Sequence, residues 1–134
     1  MSQNVNFGMV GVGKMGANIV RRLSRHGITS AVYDLSVDAV KSVVAEGAIA
    51  TSDMADMAAK LTAPRTIWIM VPAGVTDSTI AAMAEHLEKG DTIIDGGNSY
   101  YKNDLKNAAL LAEKGINFVD VGTSGGVYGL ERGY

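Results

Sequence analysis

The stretch VNFGMVGVGKMG, residues 5–16, decides the fold. Its first part, residues 5–12, is an apolar run typical of a buried strand, and residues 15–25 repeat apolar side chains at helical spacing. The pattern G-x-G-x-x-G lies between them, at the start of a predicted βαβ unit. That position favours a loop that holds the pyrophosphate of a dinucleotide at a helix N-terminus, although a simple tight turn is the alternative. The predicted loop consists of Gly11, Val12, Gly13, Lys14, Met15 and Gly16.

The rest of the chain alternates between short apolar runs and amphipathic segments. Strands are predicted at residues 30–33, 49–50, 66–71, 92–95 and 117–121, and helices at 37–46, 54–61, 77–87 and 102–114. Such alternation requires crossover connections between parallel strands. The sequence therefore predicts one α/β domain over residues 1–134, with a Rossmann-like, doubly wound, mainly parallel sheet and helices on both faces.

Composition narrows the possible functions. The 134 residues carry a net charge of −2, so no basic excess indicates nucleic acid or an anionic membrane as a partner. No apolar run reaches the length of a membrane span, and the absence of cysteine leaves no disulfide or Cys-based metal site. Both observations are compatible with the cytoplasm. Arg21, Arg22, Arg25 and His26 form a small basic cluster, which we expect to be a solvated helix face.

An acidic residue ends the second predicted strand. Asp34 follows Gly16 by 18 residues and is positioned to accept hydrogen bonds from the diol of an adenosine ribose. The same carboxylate would repel a 2′-phosphate, and no Arg or Lys follows directly. NAD is therefore expected in preference to NADP. Capping of the next helix is an alternative role for Asp34, and the two roles are compatible.

Glycine-rich stretches follow four of the predicted strands, at residues 11–16, 71–74, 95–98 and 122–126. In an open parallel sheet, ligands bind beyond the carboxyl ends of the strands, where the strand order reverses. We therefore expect these stretches to meet at one crevice, where glycines leave room for a ligand. Ordinary turns are the alternative explanation.

Two motifs carry a family resemblance that runs through essentially the whole chain. DGGNSYYKND, residues 95–104, resembles the DGGNSxYxD signature of 6-phosphogluconate dehydrogenases, and GTSGGVYG, residues 122–129, resembles their GVSGGxxG. The ending GLERGY is similar to the shorter, often NAD-preferring branch. The longer NADP-dependent branch usually carries Asn-Arg-Thr after the second strand, where this chain has Asp34, Leu35 and Ser36. The resemblance implies oxidative decarboxylation of 6-phosphogluconate to ribulose 5-phosphate, with no metal.

The resemblance also implies site residues. The glycine loop would hold the pyrophosphate, and Val71, Pro72 and Ala73 would line the nicotinamide side. Asn98 would contact both cofactor and sugar. Ser124, Gly125 and Gly126 would bind the carboxylate end of the substrate.

No catalytic acid or base is assigned within the chain. The resemblance implies that these are a Lys and a Glu of a following helical domain, which we do not expect within residues 1–134. We therefore expect a cofactor domain that is inactive alone, from a full-length protein that is a homo-oligomer and takes a small sugar phosphate. Two alternatives stay open, namely a non-catalytic NAD(H)-sensing module and a dehydrogenase for another β-hydroxyacid.

Overall fold

The computed structural model of the chain describes residues 5–97, 101–122 and 129–132. The strands of these ranges are β1 Phe7–Val10, β2 Ser30–Tyr33, β3 Ile49–Ala50, β4 Thr66–Ile69, β5 Thr92–Asp95 and β6 Asn117–Asp120. The helices are α1 Lys14–Arg25, α2 Val37–Val44, α3 Met54–Lys60, α4 Thr76–Ala84, α5 Tyr101–Glu113 and α6 Gly129–Arg132, and a 3₁₀ turn at Ala73–Val75 precedes α4. None of the described helices combines the length and the apolarity needed to cross a lipid bilayer.

The strands form one parallel sheet in the order β3-β2-β1-β4-β5-β6. This arrangement confirms the predicted Rossmann-like fold. The chain proceeds outward from β1 to β3 on one side and from β4 to β6 on the other, so the strand order reverses between β1 and β4. A ligand crevice is expected at the carboxyl ends of these two strands.

Both central strands end two residues earlier than predicted. β1 stops at Val10 because Gly11 adopts a φ of +97°, which is incompatible with a strand. β4 stops at Ile69, three residues before Pro72, which has no N–H to donate. The early stops leave Gly11 and Val71 beyond the tips of the strands.

Each face of the sheet is covered by helices. On one face, Ile67, Ile69 and Ile93 of the sheet belong to a buried cluster with apolar side chains of α3, α4 and α5. On the other face, Met9 and Val32 belong to a cluster with side chains of α1 and α2. Full burial of one such side chain contributes about 1.5–3 kcal/mol, so these two layers hold the strands in register.

An ion pair between Arg65 and the buried Asp91 lies at the amino-terminal ends of β4 and β5, opposite the crevice. The side chain of Asp91, 1% exposed, accepts a 2.9 Å hydrogen bond from the guanidinium of Arg65. It also accepts the backbone N–H groups of Arg65 at 2.7 Å and Glu88 at 2.8 Å. Burial acts to raise the pKa of Asp91, but the hydrogen bonds and the Arg65 charge outweigh it, so the pKa lies below its ordinary value.

The arginines of α1 contact neighbouring helices. Arg21 pairs with Glu46 just beyond α2, at 3.0 Å. Arg22 donates to the carbonyl oxygen of Leu130 at 3.1 Å, and Arg25 pairs with Glu131 at 3.0 Å. The expected solvated face is therefore incomplete as a description, because these arginines also attach α1 to its neighbours.

Candidate cofactor site at the strand tips

The glycine loop, residues 11–16, connects β1 to α1 as predicted, and two of its glycines are required by the fold itself. A β-carbon on Gly11 would overlap the carbonyl oxygen of Met70, and the positive φ of Gly11 disfavours any side chain. A β-carbon on Gly16 would overlap the carbonyl oxygen of Gly11. These glycines let the loop approach β4 and let α1 pack closely on the loop.

Gly13 differs from the other two glycines, because a β-carbon there would meet no atom within 4 Å. Gly13 is exposed and occupies the N-cap position of α1, where no side chain caps the helix. The first turn of α1 also contains no acidic residue. The helix N-terminus is therefore open to an anion, which its N–H groups and partial positive charge favour.

The three remaining loop residues, Val12, Lys14 and Met15, lie in different surroundings. Lys14 is exposed, whereas Met15 is partly buried and packs against the cluster beneath α1. The backbone N–H of Val12 donates to Asp34 and is therefore directed toward the end of β2. The loop thus presents mainly backbone to the crevice.

Asp34 connects the tip of β2 to the glycine loop. Its Oδ2 accepts the N–H of Val12 and its Oδ1 accepts the N–H of Ser36, both at 2.8 Å. Ser36, rather than Asp34, caps α2, because its hydroxyl accepts the N–H of Ala39. A carboxylate has about four acceptor positions, so Asp34 retains capacity for a diol.

A cavity of about 500 Å³ opens at the reversal between β1 and β4. Its lining combines the ends of β1, β2 and β4 with side chains of α3 and α4. These residues are Val10, Gly11, Gly13, Tyr33, Asp34, Leu35, Met54, Met70, Val71, Pro72, Val75 and Thr79.

The mostly apolar wall includes residues that sequence reasoning missed, namely Leu35, Met54, Val75 and Thr79. Leu35 lines the cavity although its side chain is 90% exposed. Its position directly after Asp34 could have indicated from the sequence that Leu35 lies at the site. The placement of Met54 and Thr79 depends on how α3 and α4 lie against the sheet, which the sequence does not reveal.

The segment after β4 forms the far wall of the cavity. Val71 is half-buried and Pro72 is exposed, and the carbonyl oxygen of Pro72 accepts the N–H of Val75 at 3.0 Å and the Thr76 hydroxyl at 3.2 Å. Ala73 begins the 3₁₀ turn that follows. These bonds fix the turn that leads from β4 into α4.

The turn after β5, residues 95–97, lies beside this wall. Asp95 is fully buried, and its Oδ1 accepts the N–H of Gly97 at 3.0 Å. A β-carbon on Gly97 would lie 3.3 Å from the carbonyl oxygen of Val71, so the turn is adjacent to the cavity wall. Asn98, Ser124, Gly125 and Gly126 lie outside the described residues.

The geometry supports binding more clearly than acid–base chemistry. Tyr33 and Asp34 are the ionisable side chains of the described cavity lining, and Asp34 already accepts two backbone hydrogen bonds. His26 follows the end of α1, and His86 lies beyond the end of α4. Both therefore lie toward the edge of the sheet opposite the strand tips. Within the described ranges, no group of three or more His, Cys, Asp or Glu is arranged to hold a metal ion.

Comparisons with known proteins agree with this geometry. The family model for the NAD-binding domain of 6-phosphogluconate dehydrogenase matches residues 6–134. A decarboxylating 6-phosphogluconate dehydrogenase of Haloferax volcanii, named as NAD⁺-dependent, is 34% identical over 97% of this chain and 43% of its own. The NADP⁺-dependent enzyme of Bacillus subtilis is 37% identical over 95% of this chain and 28% of its own.

A solved structure supports the same relationship. The 6-phosphogluconate dehydrogenase of Plasmodium falciparum aligns with a TM-score of 0.86 and 29% identity, over 93% of this chain and 28% of that one. The chain therefore spans less than half the length of these three relatives.

Proposed function

Because the chain belongs to the 6-phosphogluconate dehydrogenase family, matching the NAD-binding domain over residues 6–134, we propose that it is the cofactor domain of a decarboxylating enzyme that prefers NAD. One observation carries this proposal. The open backbone at Gly13 and the carboxylate of Asp34 line the same cavity at the reversal of the sheet. An anion and a sugar diol at these positions are the two parts that a dinucleotide supplies.

The cofactor fits the crevice in one direction. Its pyrophosphate lies against the glycine loop and the N-terminus of α1, and its adenosine ribose lies at Asp34. Leu35 provides apolar surface for the adenine. The nicotinamide end then runs along Val71, Pro72 and Ala73 toward the turn after β5.

The preference for NAD rests on the charge at the tip of β2. A 2′-phosphate would lie beside the Asp34 carboxylate, and the next residues, Leu35, Ser36 and Val37, offer no cation to compensate it. Relatives named as NAD⁺-dependent and as NADP⁺-dependent both match this chain, so the preference is argued from these side chains alone.

For the whole protein we propose oxidation and decarboxylation of 6-phosphogluconate to ribulose 5-phosphate. When bound, the nicotinamide would accept the hydride from the substrate carbon that carries the oxidised hydroxyl. Asn98, Ser124, Gly125 and Gly126 are the proposed substrate contacts of this chain. The base that takes the hydroxyl proton and the acid that protonates the enediol are proposed to come from a further helical domain, as the family resemblance implies.

Titration calorimetry of the chain with NAD, NADP and 6-phosphogluconate tests the proposal. We expect NAD to bind more tightly than NADP. In Asp34→Asn, which keeps an acceptor oxygen but removes the charge, the preference should shrink about tenfold, consistent with the loss of a charged hydrogen bond. Failure of the wild-type chain to bind either dinucleotide would refute the cofactor role, and tighter binding of NADP would refute the preference. Binding of a different β-hydroxyacid, without binding of 6-phosphogluconate, would refute 6-phosphogluconate as the substrate.

A further inference from the structure

Trp68 of β4 occupies the space in which a side chain at Gly96 would lie. A β-carbon on Gly96 would overlap the indole Nε1 and would lie 2.7 Å from Cε2 and 2.9 Å from Cδ1. Real β-carbons essentially never approach other atoms this closely. Gly96 therefore lacks a side chain because the edge of the indole lies against its backbone.

The indole is held in this position by its own packing. Trp68 packs against the buried cluster on the α1 face of the sheet, and its ring meets that of Phe7 edge to face, with the centroids 6.4 Å apart. Its Nε1 is buried and makes no hydrogen bond with any described residue. The partly buried ring is thus supported by Phe7 and by this cluster, and it lies directly beneath Gly96.

The supported turn reaches the wall of the cavity. The N–H of Gly96 donates to the carbonyl oxygen of Ile69 at 3.0 Å, which fixes one end of the turn to the tip of β4. The next residue, Gly97, lies against the carbonyl oxygen of Val71, and Val71 lines the cavity. Contacts therefore run from Trp68 through Gly96 and Gly97 to Val71.

This arrangement contrasts with Gly13, where a β-carbon would meet no atom of the protein. An open glycine beside a cavity is explained by a ligand, whereas Gly96 is explained by the indole. Glycine is therefore present at Gly13 and at Gly96 for different physical reasons, although both residues lie at the same end of the sheet.

We propose that Trp68 is a positioning residue for the cofactor site, which fixes the turn at residues 95–97 through Gly96 and thereby sets the end of the crevice that receives the nicotinamide half. The inference rests on the proposed function. It assigns a role to a side chain that lies beneath the site rather than in the cavity lining.

A double-mutant cycle distinguishes this role of Trp68 from the alternative that the ligand itself requires a glycine at position 96. The variants are Gly96→Ala, Trp68→Leu and their combination. Ala112→Ser, at an exposed position near the end of α5, is the control. Each is titrated with NAD, which reaches the turn, and with ADP, which reaches only the glycine loop and Asp34. Thermal unfolding is measured in parallel.

We expect Gly96→Ala to weaken NAD binding about tenfold while ADP binding stays within about twofold. The melting temperature should fall by about 5 °C. In the Trp68→Leu background, Gly96→Ala should reduce NAD affinity and the melting temperature by less than half as much as in the wild type. The reason is that the indole that the added methyl group would meet has been removed. Ala112→Ser should resemble the wild type in every measurement.

Equal penalties for Gly96→Ala in both backgrounds would overturn the proposal, since the ligand or the backbone would then require the glycine. Equal losses of NAD and ADP binding would also overturn it, because the turn would not be acting at the nicotinamide end. A wild-type chain that bound neither ligand would refute the proposed function and the role of the turn in binding. The unfolding cycle would still decide whether Trp68 and Gly96 are coupled.

Discussion

The carboxylate of Asp34 accepts the backbone N–H of Val12 at 2.8 Å, across 22 residues of sequence. Val12 is 2% exposed, so its N–H has little access to water. The side chain proposed to bind the ribose therefore also satisfies a backbone donor of the loop proposed to bind the pyrophosphate. The two halves of the dinucleotide site are mechanically connected.

Replacement of Asp34 by alanine should destabilise the chain as well as weaken NAD binding. The N–H of Val12 would lose its acceptor, at a cost of about 1–3 kcal/mol in the free energy of unfolding. Asp34→Asn, which keeps one acceptor oxygen, should cost less. Chemical denaturation of both variants checks the difference, and equal stabilities would contradict the structural role of this hydrogen bond.

Two glycines of the loop should respond differently to the same change. Gly16→Ala should lower the free energy of unfolding by about 1–3 kcal/mol, because the added methyl group overlaps the Gly11 carbonyl oxygen. Gly13→Ala should cost less than about 1 kcal/mol, which reflects the poorer N-cap. It should nevertheless weaken NAD binding about tenfold by obstructing the helix N-terminus.

The comparison requires denaturation and calorimetry on both variants. A stable Gly13→Ala chain that binds NAD like the wild type would show that the open space beside α1 is not used by the pyrophosphate. The same result would leave the argument for Gly16 intact.

Leu35 should contribute to binding and not to folding. Its side chain is 90% exposed and lines the cavity, so Leu35→Ser should leave the melting temperature unchanged. NAD and ADP should both bind about threefold to tenfold more weakly, since apolar surface beneath the adenine is lost. Val37→Ser is the matched control, because Val37 is 64% exposed but lines a different cavity. Equal effects of the two changes on binding would refute the adenine assignment.

Acid should lower the free energy of unfolding through the protonation of Asp91. Because the folded-state pKa of Asp91 is lowered, its stabilising contribution is complete above the ordinary value of 3.8 and is lost as the pH falls through the folded value. Asp91→Asn should lower the free energy of unfolding at neutral pH by about 1–3 kcal/mol and flatten its decline below pH 3.8.

Asp56→Asn provides the comparison for this experiment. The pKa of Asp56 is also lowered, chiefly by the backbone N–H of Ser52 and then by Lys60, but its side chain is 29% exposed. We expect a smaller change in the acid dependence of stability than for Asp91. An unaltered acid profile in Asp91→Asn would show that the buried pair does not govern acid unfolding.

The parts of the fold that depend on local patterns could be predicted from the sequence. The first strand, the G-x-G-x-x-G loop and the start of the first helix lie within ten consecutive residues, Phe7 to Gly16. The alternation of strands and helices then indicated a parallel doubly wound sheet. Strand ends were less accurate, because the φ of Gly11 is a property of the folded turn.

Contacts between distant elements could not be predicted in the same way. The Arg65–Asp91 pair joins residues 26 apart, and the Trp68–Gly96 contact depends on the register in which Trp68 pairs with Ile94. Glycines at the tip of β5 indicated space for a ligand, whereas the structure fills the space at Gly96 with an indole. A sequence pattern gives the position of a small residue but not the neighbour that requires it.

The hydrogen bond between Val12 and Asp34 sets a condition for anyone who wishes to redesign nucleotide selectivity at this position. A substitution that removes the Asp34 carboxylate to admit a phosphate on the ribose also removes the hydrogen-bond acceptor of the Val12 N–H. A successful conversion must therefore restore that acceptor, for example with an amide or a hydroxyl, before a cation is added nearby.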